Sequence, residues 1–190
     1  MSNISYIDIK EVMELTEAVI VIDMIHDFVD GKFGSERAQK IVPRIKSLLD
    51  RAREKGIPVI YVKDAHVEGD KELEVWGKHA MKDDEGSQII PELAPQPGDY
   101  VLEKNRYSCF YETGLEDLLY DLDVKEVILT GVATDICVRH TAADAFFRGF
   151  DIIIPRDCVD TFSDDVQERA LDEMAKLYKA RIEDSEKVIV

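Results

Sequence analysis

Short apolar runs alternate along this chain with longer segments in which apolar residues recur every three or four positions. Short continuous apolar runs are typical of strands buried on both faces, and the longer spacing is typical of amphipathic helices. We predict six strands, at residues 18–23, 57–63, 100–103, 127–130, 151–155 and 187–190. We predict that helices separate most of them, at residues 35–55, 114–121, 138–148 and 165–180.

Strands that alternate with helices predict an α/β fold, with a parallel sheet covered by helices on both faces. A chain of 190 residues with 45% hydrophobic residues is large enough for one sizeable core. No internal repeat or linker divides it, so we predict a single domain over residues 17–190. Residues 1–16 are interpreted as an N-terminal extension, with a helical turn near residues 10–15.

Four chemically reactive side chains follow four different predicted strands. Asp23, Asp64 and Lys104 each stand at the end of a strand, and Cys137 stands in the turn after another. Ligands of parallel α/β sheets bind beyond the carboxyl ends of the strands. We therefore expect these four residues to converge at one edge of the sheet.

Cys137 lies where a strand passes into a helix, within EVILTGVATDICV. The unpaired amides and the dipole of a helix N-terminus favour an anion, so the sequence predicts a thiol that ionises readily and acts as a nucleophile. The alternative is a small buried hydrophobic residue, which is the interpretation we give to Cys109 and Cys158. The three cysteines have neither disulfide nor zinc spacing, which fits a reducing cytoplasmic compartment.

The charge of the chain bears on its partners. Its formal net charge is −16, with the acidic residues spread along helix faces rather than gathered in a tail. Such a chain is repelled by nucleic acids and by anionic membranes, so neither is expected as a partner. The absence of a cationic apolar leader and of a long uncharged apolar stretch agrees with a cytoplasmic location.

Residues 64–99 have little helix or strand pattern, and loops of this length in compact domains are usually functional or disordered. The segment contains Trp76, the only tryptophan, together with His66 and His79. Asp64 and His66 form an Asp-x-His pair, which presents two potential metal ligands on one side of an extended backbone. The alternative is a turn that carries a surface histidine.

Three sequence blocks together resemble the signature blocks of the isochorismatase-like cysteine hydrolases. They are VIDMIHDF with Asp23, VLEKNRYSCF with Lys104 and GVATDICV with Cys137, and the similarity covers residues 18–158. The resemblance implies a Rossmann-like three-layer α/β/α sandwich around a mainly parallel six-stranded sheet. It also implies a catalytic Asp–Lys–Cys triad, in which a base removes the thiol proton and the lysine stabilises the charges.

The same resemblance implies an oxyanion hole formed by the backbone amides of Ala133 and Cys137. It further implies a cis peptide bond before Ala133. The oxyanion hole would stabilise the negative oxygen that forms when the thiolate attacks a carbonyl carbon.

The chain is most similar to the nicotinamidase-related branch of the superfamily. That branch implies a divalent metal ion, with Zn, Fe and Mn as the candidates, held by Asp64, His66 and His79. It also implies that Phe28 and Trp76 enclose a planar substrate ring. This loop is shorter than in well-studied nicotinamidases and lacks an additional histidine that they carry.

The resemblance implies an amidohydrolase that cleaves a small planar amide, such as nicotinamide, to the acid and ammonia through a thioester. Three alternatives stay open: a metal-free carbamoyl or ureido amidase, an isochorismatase-type vinyl-ether hydrolase, and a scaffold without activity. Because oligomers are common in the superfamily, we expect a homodimer or homotetramer.

Overall fold

The fold is built on seven strands that all pair in parallel. The computed structural model describes residues 16–189. The sheet order is β3-β2-β1-β4-β5-β7, and the short β6 pairs with β4 beyond the end of β5. The strands are β1 (Glu17–Ile22), β2 (Val59–Asp64), β3 (Tyr100–Lys104), β4 (Glu126–Val132), β5 (Asp151–Pro155), β6 (Val159–Asp160) and β7 (Arg181–Glu183).

Helices connect the strands, and the two longest begin at serine caps. Ser35 Oγ accepts the Ala38 N–H, and Ser163 accepts the Val166 N–H, which satisfies amides that the first turn leaves free. No helix among residues 16–189 has the length and apolarity needed to cross a membrane. The helices are α1 (His26–Val29), α2 (Glu36–Glu54), α3 (Leu73–Trp76), α4 (Leu115–Asp121), α5 (Arg139–Phe147), α6 (Asp164–Tyr178) and α7 (Ser185–Val188), with a π-helical turn at Thr134–Val138.

The sheet has a hydrophobic core on each face, because alternate residues of a strand point to opposite sides. In β1, Val19 and Val21 pack against α2, whereas Ile20 and Ile22 join the core formed with α4, α5 and α6. All of these side chains are fully or almost fully buried. This double burial explains why the strands are continuous apolar runs in the sequence.

These features confirm the predicted α/β sandwich, with seven strands instead of six. The predicted strand at residues 187–190 is wrong over its described part, because α7 occupies Ser185–Val188 and the edge strand is β7. Asp157 accepts hydrogen bonds from the backbone and the hydroxyl of Ser185, which starts α7 at this point. The helical turn predicted at residues 10–15 lies outside the described residues, as does all of the predicted extension except Thr16.

Gly131 allows β1 and β4 to approach closely beside the carboxyl edge. It pairs with Ile22 and has a φ of 109°, and a Cβ at this position would lie 1.9 Å from the Ile22 carbonyl oxygen. Any other residue would force the two strands apart. The glycine therefore helps to set the separation of Asp23, which follows β1, from the turn that follows β4.

Candidate active site

The structure brings together the four residues that the strand ends were expected to supply. Asp23 follows β1, Asp64 ends β2, Lys104 ends β3, and Cys137 lies in the π-helical turn after β4. The four strands are consecutive neighbours in the sheet. All four residues are buried, with Cys137 the most exposed at 7%. Their clustering is a property of the sheet order, so it does not depend on a mobile loop.

Lys104 is the centre of this cluster. Its Nζ lies 2.8 Å from Asp23 Oδ2, 2.5 Å from Asp64 Oδ1 and 3.7 Å from Cys137 Sγ. Burial alone would lower the pKa of Lys104, but the two carboxylates outweigh burial and raise this pKa well above its ordinary value. The lysine is therefore a permanent cation between two acids and a thiol.

The two carboxylate oxygens of Asp23 have different surroundings. Oδ1 accepts the backbone N–H of Asp64 at 2.8 Å. Oδ2 is in ion-pair contact with Lys104, but it has no aligned hydrogen-bond donor among residues 16–189. Burial, followed by the charge of Asp64, raises the pKa of Asp23 to about 6. Asp23 is thus mostly ionised at neutral pH, with one oxygen available to accept a proton.

The pKa of the Cys137 thiol is shifted in the direction opposite to the one expected. Burial raises the pKa of this thiol well above its ordinary value, although the charge of Lys104 opposes the rise. The expectation of a readily ionised thiol is therefore wrong, because the sequence suggests a helix N-terminus but does not show that the thiol is buried. A resting thiol needs a base, and the side chain of Asp23 interacts with that of Cys137.

The other two thiols are buried in the protein interior. Cys109 and Cys158 have no exposed surface, and burial raises the pKa of each to about 12. Neither lines the cavity described below, whereas Cys137 does. Only Cys137 among the three combines cavity access with a charged neighbourhood.

Asp64, His66 and His79 form a second group whose ligand atoms all lie within 4.8 Å of one another. His66 Nδ1 lies 3.3 Å from Asp70 Oδ2, and its buried Nε2 has no hydrogen-bond partner among the described residues. His79 Nδ1 bonds to the Gly77 carbonyl oxygen at 2.8 Å, which leaves its Nε2 free to act as a ligand. An orphaned imidazole nitrogen beside a carboxylate and a second imidazole fits a divalent cation.

Each residue of this group has an altered pKa. Burial would raise the pKa of Asp64, but Lys104 and His66 lower it below its ordinary value. Burial would lower the pKa of His66, yet Asp64 and Asp70 raise it. Burial is the main cause of the lowered pKa of His79. An ionised carboxylate and a neutral His79 suit metal binding.

Sequence reasoning missed Glu72, which lies next to this group. Its Oε2 lies 4.0 Å from His66 Nε2, and the residue is only 6% exposed. Burial, followed by the charge of Asp64, raises the pKa of Glu72 to about 7. Nothing in the sequence distinguishes Glu72 from Glu74 two positions later, which is exposed, because only the fold turns Glu72 inward.

A cavity of about 170 Å³ opens beside Cys137 and the group formed by Asp64, His66 and His79. Phe28 and Trp76, the residues expected to enclose a ring, both line it. Trp76 donates its indole N–H to the Tyr107 hydroxyl at 3.0 Å. The remaining lining is mostly apolar or aromatic, and it includes Phe33, Val132, Ala133, Ile136 and Phe162.

The segment before Cys137 has the backbone that the resemblance implies. The peptide bond between Val132 and Ala133 is cis. The Ala133 carbonyl oxygen accepts hydrogen bonds from the N–H groups of Ile136 and Val138, at 3.0 and 3.2 Å, so those two amides already have a partner. The oxyanion role of the Ala133 and Cys137 amides stays a prediction.

Comparison with known proteins gives one consistent result. The model of the isochorismatase domain matches residues 17–186. The isochorismatase family protein YaaI of Bacillus subtilis is 37% identical over 175 residues, which cover 91% of this chain and 96% of that protein.

Two crystal structures show the same architecture. N-carbamoylsarcosine amidase from Thermoplasma acidophilum has a TM-score of 0.87 and 39% identity, and the match covers 91% of this chain and 98% of the other. Pyrazinamidase of Pyrococcus horikoshii in complex with zinc has a TM-score of 0.82 and 30% identity, over 89% and 99% of the two chains.

Proposed function

The chain belongs to the isochorismatase family of hydrolases, and on this basis we propose that it is a cysteine amidohydrolase. Its substrate would be a small planar amide such as nicotinamide, cleaved to the acid and ammonia. The observation that carries the proposal is the contact of Lys104 with both Asp23 and Cys137 at the edge of an aromatic cavity.

The first step would form a thioester. Asp23 Oδ2 takes the thiol proton, and Sγ of Cys137 attacks the amide carbon. Lys104 remains protonated throughout and compensates the thiolate and the carboxylate in turn. The backbone amides of Ala133 and Cys137 would stabilise the tetrahedral oxyanion. Protonated Asp23 then donates its proton to the leaving nitrogen, and ammonia departs as the C–N bond breaks.

The second step would release the acid. Asp23, ionised again, accepts a proton from a water molecule whose oxygen attacks the thioester carbon. The C–S bond then breaks, and the proton held by Asp23 returns to Sγ. Each turnover consumes one water and restores both the thiol of Cys137 and the carboxylate of Asp23.

A divalent cation would be held by Asp64, His66 and His79, with Glu72 close enough to join them. Bound there, a metal ion would act as a Lewis acid toward a substrate ring nitrogen or a water molecule. The zinc complex of the Pyrococcus horikoshii pyrazinamidase supports this part of the proposal. Carboxylate and imidazole ligands suit Zn, Fe and Mn alike.

A carbamoyl or ureido amidase is the second candidate. It keeps the same chemistry at Asp23, Lys104 and Cys137 but needs no metal ion. The similarity to N-carbamoylsarcosine amidase from Thermoplasma acidophilum, at 39% identity, favours it.

Ammonia release tests the proposal. The purified protein is assayed with nicotinamide, pyrazinamide, N-carbamoylsarcosine and a ureido acid, with Cys137→Ala as the control. We expect turnover of the ring amides, dependent on Cys137. Turnover of the carbamoyl compounds alone, unaffected by chelation, would replace the first candidate by the second. Turnover of none of them by metal-loaded protein would contradict both.

We also propose that the protein acts in the cytoplasm as a homodimer or homotetramer. Large apolar side chains exposed on α5 and α6, those of Phe146, Phe147 and Leu177, support self-association. Light scattering after gel filtration would measure the mass, and a monomer at micromolar concentration would contradict the oligomer.

A further inference from the structure

One arginine side chain lines the cavity beside Cys137. Among the described residues that line it, Arg37 in the first turn of α2 is the only lysine or arginine. A guanidinium in such a place commonly binds the carboxylate of a substrate. The neighbours of Arg37 decide whether it has that role.

The guanidinium of Arg37 already donates hydrogen bonds to other residues of this chain. Nε donates to Asp160 Oδ1 at 3.0 Å and to the Thr161 carbonyl oxygen at 2.7 Å, and Nη2 donates to the same Asp160 oxygen at 2.6 Å. Nη1 donates to Asp164 Oδ1 at 2.7 Å. Asp160 is part of the cavity lining, whereas the side chain of Asp164 is 92% exposed. Two carboxylates thus surround the single cation.

The positive charge of Arg37 is neutralised as a result. Asp160 offsets Arg37 within the lining, while Asp64, which also lines the cavity, is paired with Lys104 at 2.5 Å. A substrate carboxylate near Arg37 has to displace Asp160 or lie beside it. A like charge placed there is unfavourable, and this penalty discriminates between substrates.

We infer that the Arg37–Asp160 ion pair is a specificity-determining element that admits amides without a carboxylate and rejects those that bear one. The inference rests on the proposed function and narrows it to uncharged amides. Asp160 is the deciding residue, because it withholds Arg37 from the substrate. The ring amides of the first candidate meet this requirement, and carbamoyl amino acids do not.

Two amides that differ only in a carboxylate test the inference. Nicotinamide and 5-carbamoylnicotinic acid share the ring and the scissile amide. The ratio of their kcat/KM values is measured for the unmodified protein and for Asp160→Asn. We expect a preference for nicotinamide that shifts toward the acid by about tenfold or more in Asp160→Asn, because a freed guanidinium binds a carboxylate strongly.

Two further variants serve as controls. Asp164→Asn removes the exposed partner of Arg37 and should shift the ratio by about threefold at most, because exposed ion pairs interact weakly. Arg37→Gln leaves Asp160 without its cation and should increase the preference for nicotinamide. If the unmodified protein instead prefers the acid and Arg37→Gln loses that preference, Arg37 is a carboxylate receptor and the inference is overturned.

Binding separates this inference from the proposed function. Calorimetry with the Cys137→Ala protein measures the affinity for both amides without turnover. If neither amide is hydrolysed, the proposed function fails, and the binding ratio in Cys137→Ala and Cys137→Ala/Asp160→Asn still decides the inference. Equal binding of the two amides, an unchanged ratio in folded Asp160→Asn, or no binding of nicotinamide would each refute it.

Discussion

The backbone N–H of Asp64 donates a 2.8 Å hydrogen bond to Asp23 Oδ1. This bond commits one oxygen of the proposed base and leaves Oδ2 for the thiol proton. It also ties the base to the strand end that supplies a proposed metal ligand. Movement of Asp64 on metal binding would therefore reach the base directly.

The pH dependence of turnover should report the raised pKa of Asp23. The base form of Asp23 exists above this pKa, which is about 6, so activity should be complete at higher pH and lost as the pH falls through 6. We expect kcat/KM to fall about tenfold per unit below this point. The measurement uses an amide without a titrating group in this range. A fall of kcat/KM centred near pH 4, the usual range of an aspartate, would contradict the assignment of the pH dependence to Asp23.

Cys137→Ala should abolish turnover, with a loss on the order of 10⁴-fold or more, because the nucleophile is gone. Cys158→Ala is the matched control, since it removes a fully buried thiol that does not line the cavity, and it should keep most of the activity. Alkylation near neutral pH, followed by mass spectrometry, should modify Cys137 first. Earlier labelling of Cys109 or Cys158 would count against its role.

Lys104→Met should destabilise the fold by about 3 kcal/mol or more, because it leaves Asp23 and Asp64 buried without a counter-charge. The loss should be greater at pH 8 than at pH 5, since protonation of either carboxylate relieves the repulsion. Urea denaturation at the two pH values measures it. Lys82→Met removes a surface lysine paired with Glu103 and should change stability little. Equal effects of the two substitutions would contradict the central role of Lys104.

Asp70→Asn should weaken metal binding about 10- to 100-fold, because Asp70 orients the imidazole of His66. His66→Ala should remove most of the bound metal. Metal content by mass spectrometry, with affinity by calorimetric titration, measures both effects without an activity assay. Glu74→Gln, which changes an exposed acid in the same segment, is the control. Unchanged metal content in His66→Ala would exclude the proposed site.

Binding of a planar amide should change the fluorescence of Trp76, the only tryptophan and a residue of the cavity lining. The Cys137→Ala protein permits this titration without turnover. In the active protein, Trp76→Leu should raise KM about three- to tenfold through the loss of aromatic contact. Phe147→Leu alters an exposed aromatic residue outside the lining and should leave KM unchanged. Saturating amide without any fluorescence change would indicate another binding position.

The convergence of Asp23, Lys104 and Cys137 was predictable from sequence, because parallel strands place their carboxyl ends at one edge. The rule needs only approximate strand boundaries, so it tolerated an error of one residue at β3. The edge strand was harder to predict. β7 has three residues and only one of them is apolar. The more hydrophobic segment that follows forms α7, because Asp157 accepts the backbone N–H of Ser185 at the start of that helix.

Properties that depend on burial were not predictable. The pKa of Cys137 depends mainly on desolvation, and the extent of burial cannot be deduced from the spacing of residues, although the neighbouring carboxylates of Asp23 and Asp64 could be. Glu72 and Arg37 lie in helical or irregular segments whose charged residues are mostly exposed. Their orientation toward the cavity follows from tertiary packing alone.

The close contact at Gly131 has a consequence for how such a protein can change its substrate over evolutionary time. Because backbone atoms set the spacing of β1 and β4, the distance between Asp23 and the turn that carries Cys137 does not depend on the side chains of residues 65–99, which contribute Glu72, Trp76 and His79 to the cavity wall. A substitution of Trp76 can therefore alter the wall without changing the position of the nucleophile relative to Asp23. Related proteins could in this way evolve toward different amide substrates while they keep the same reaction.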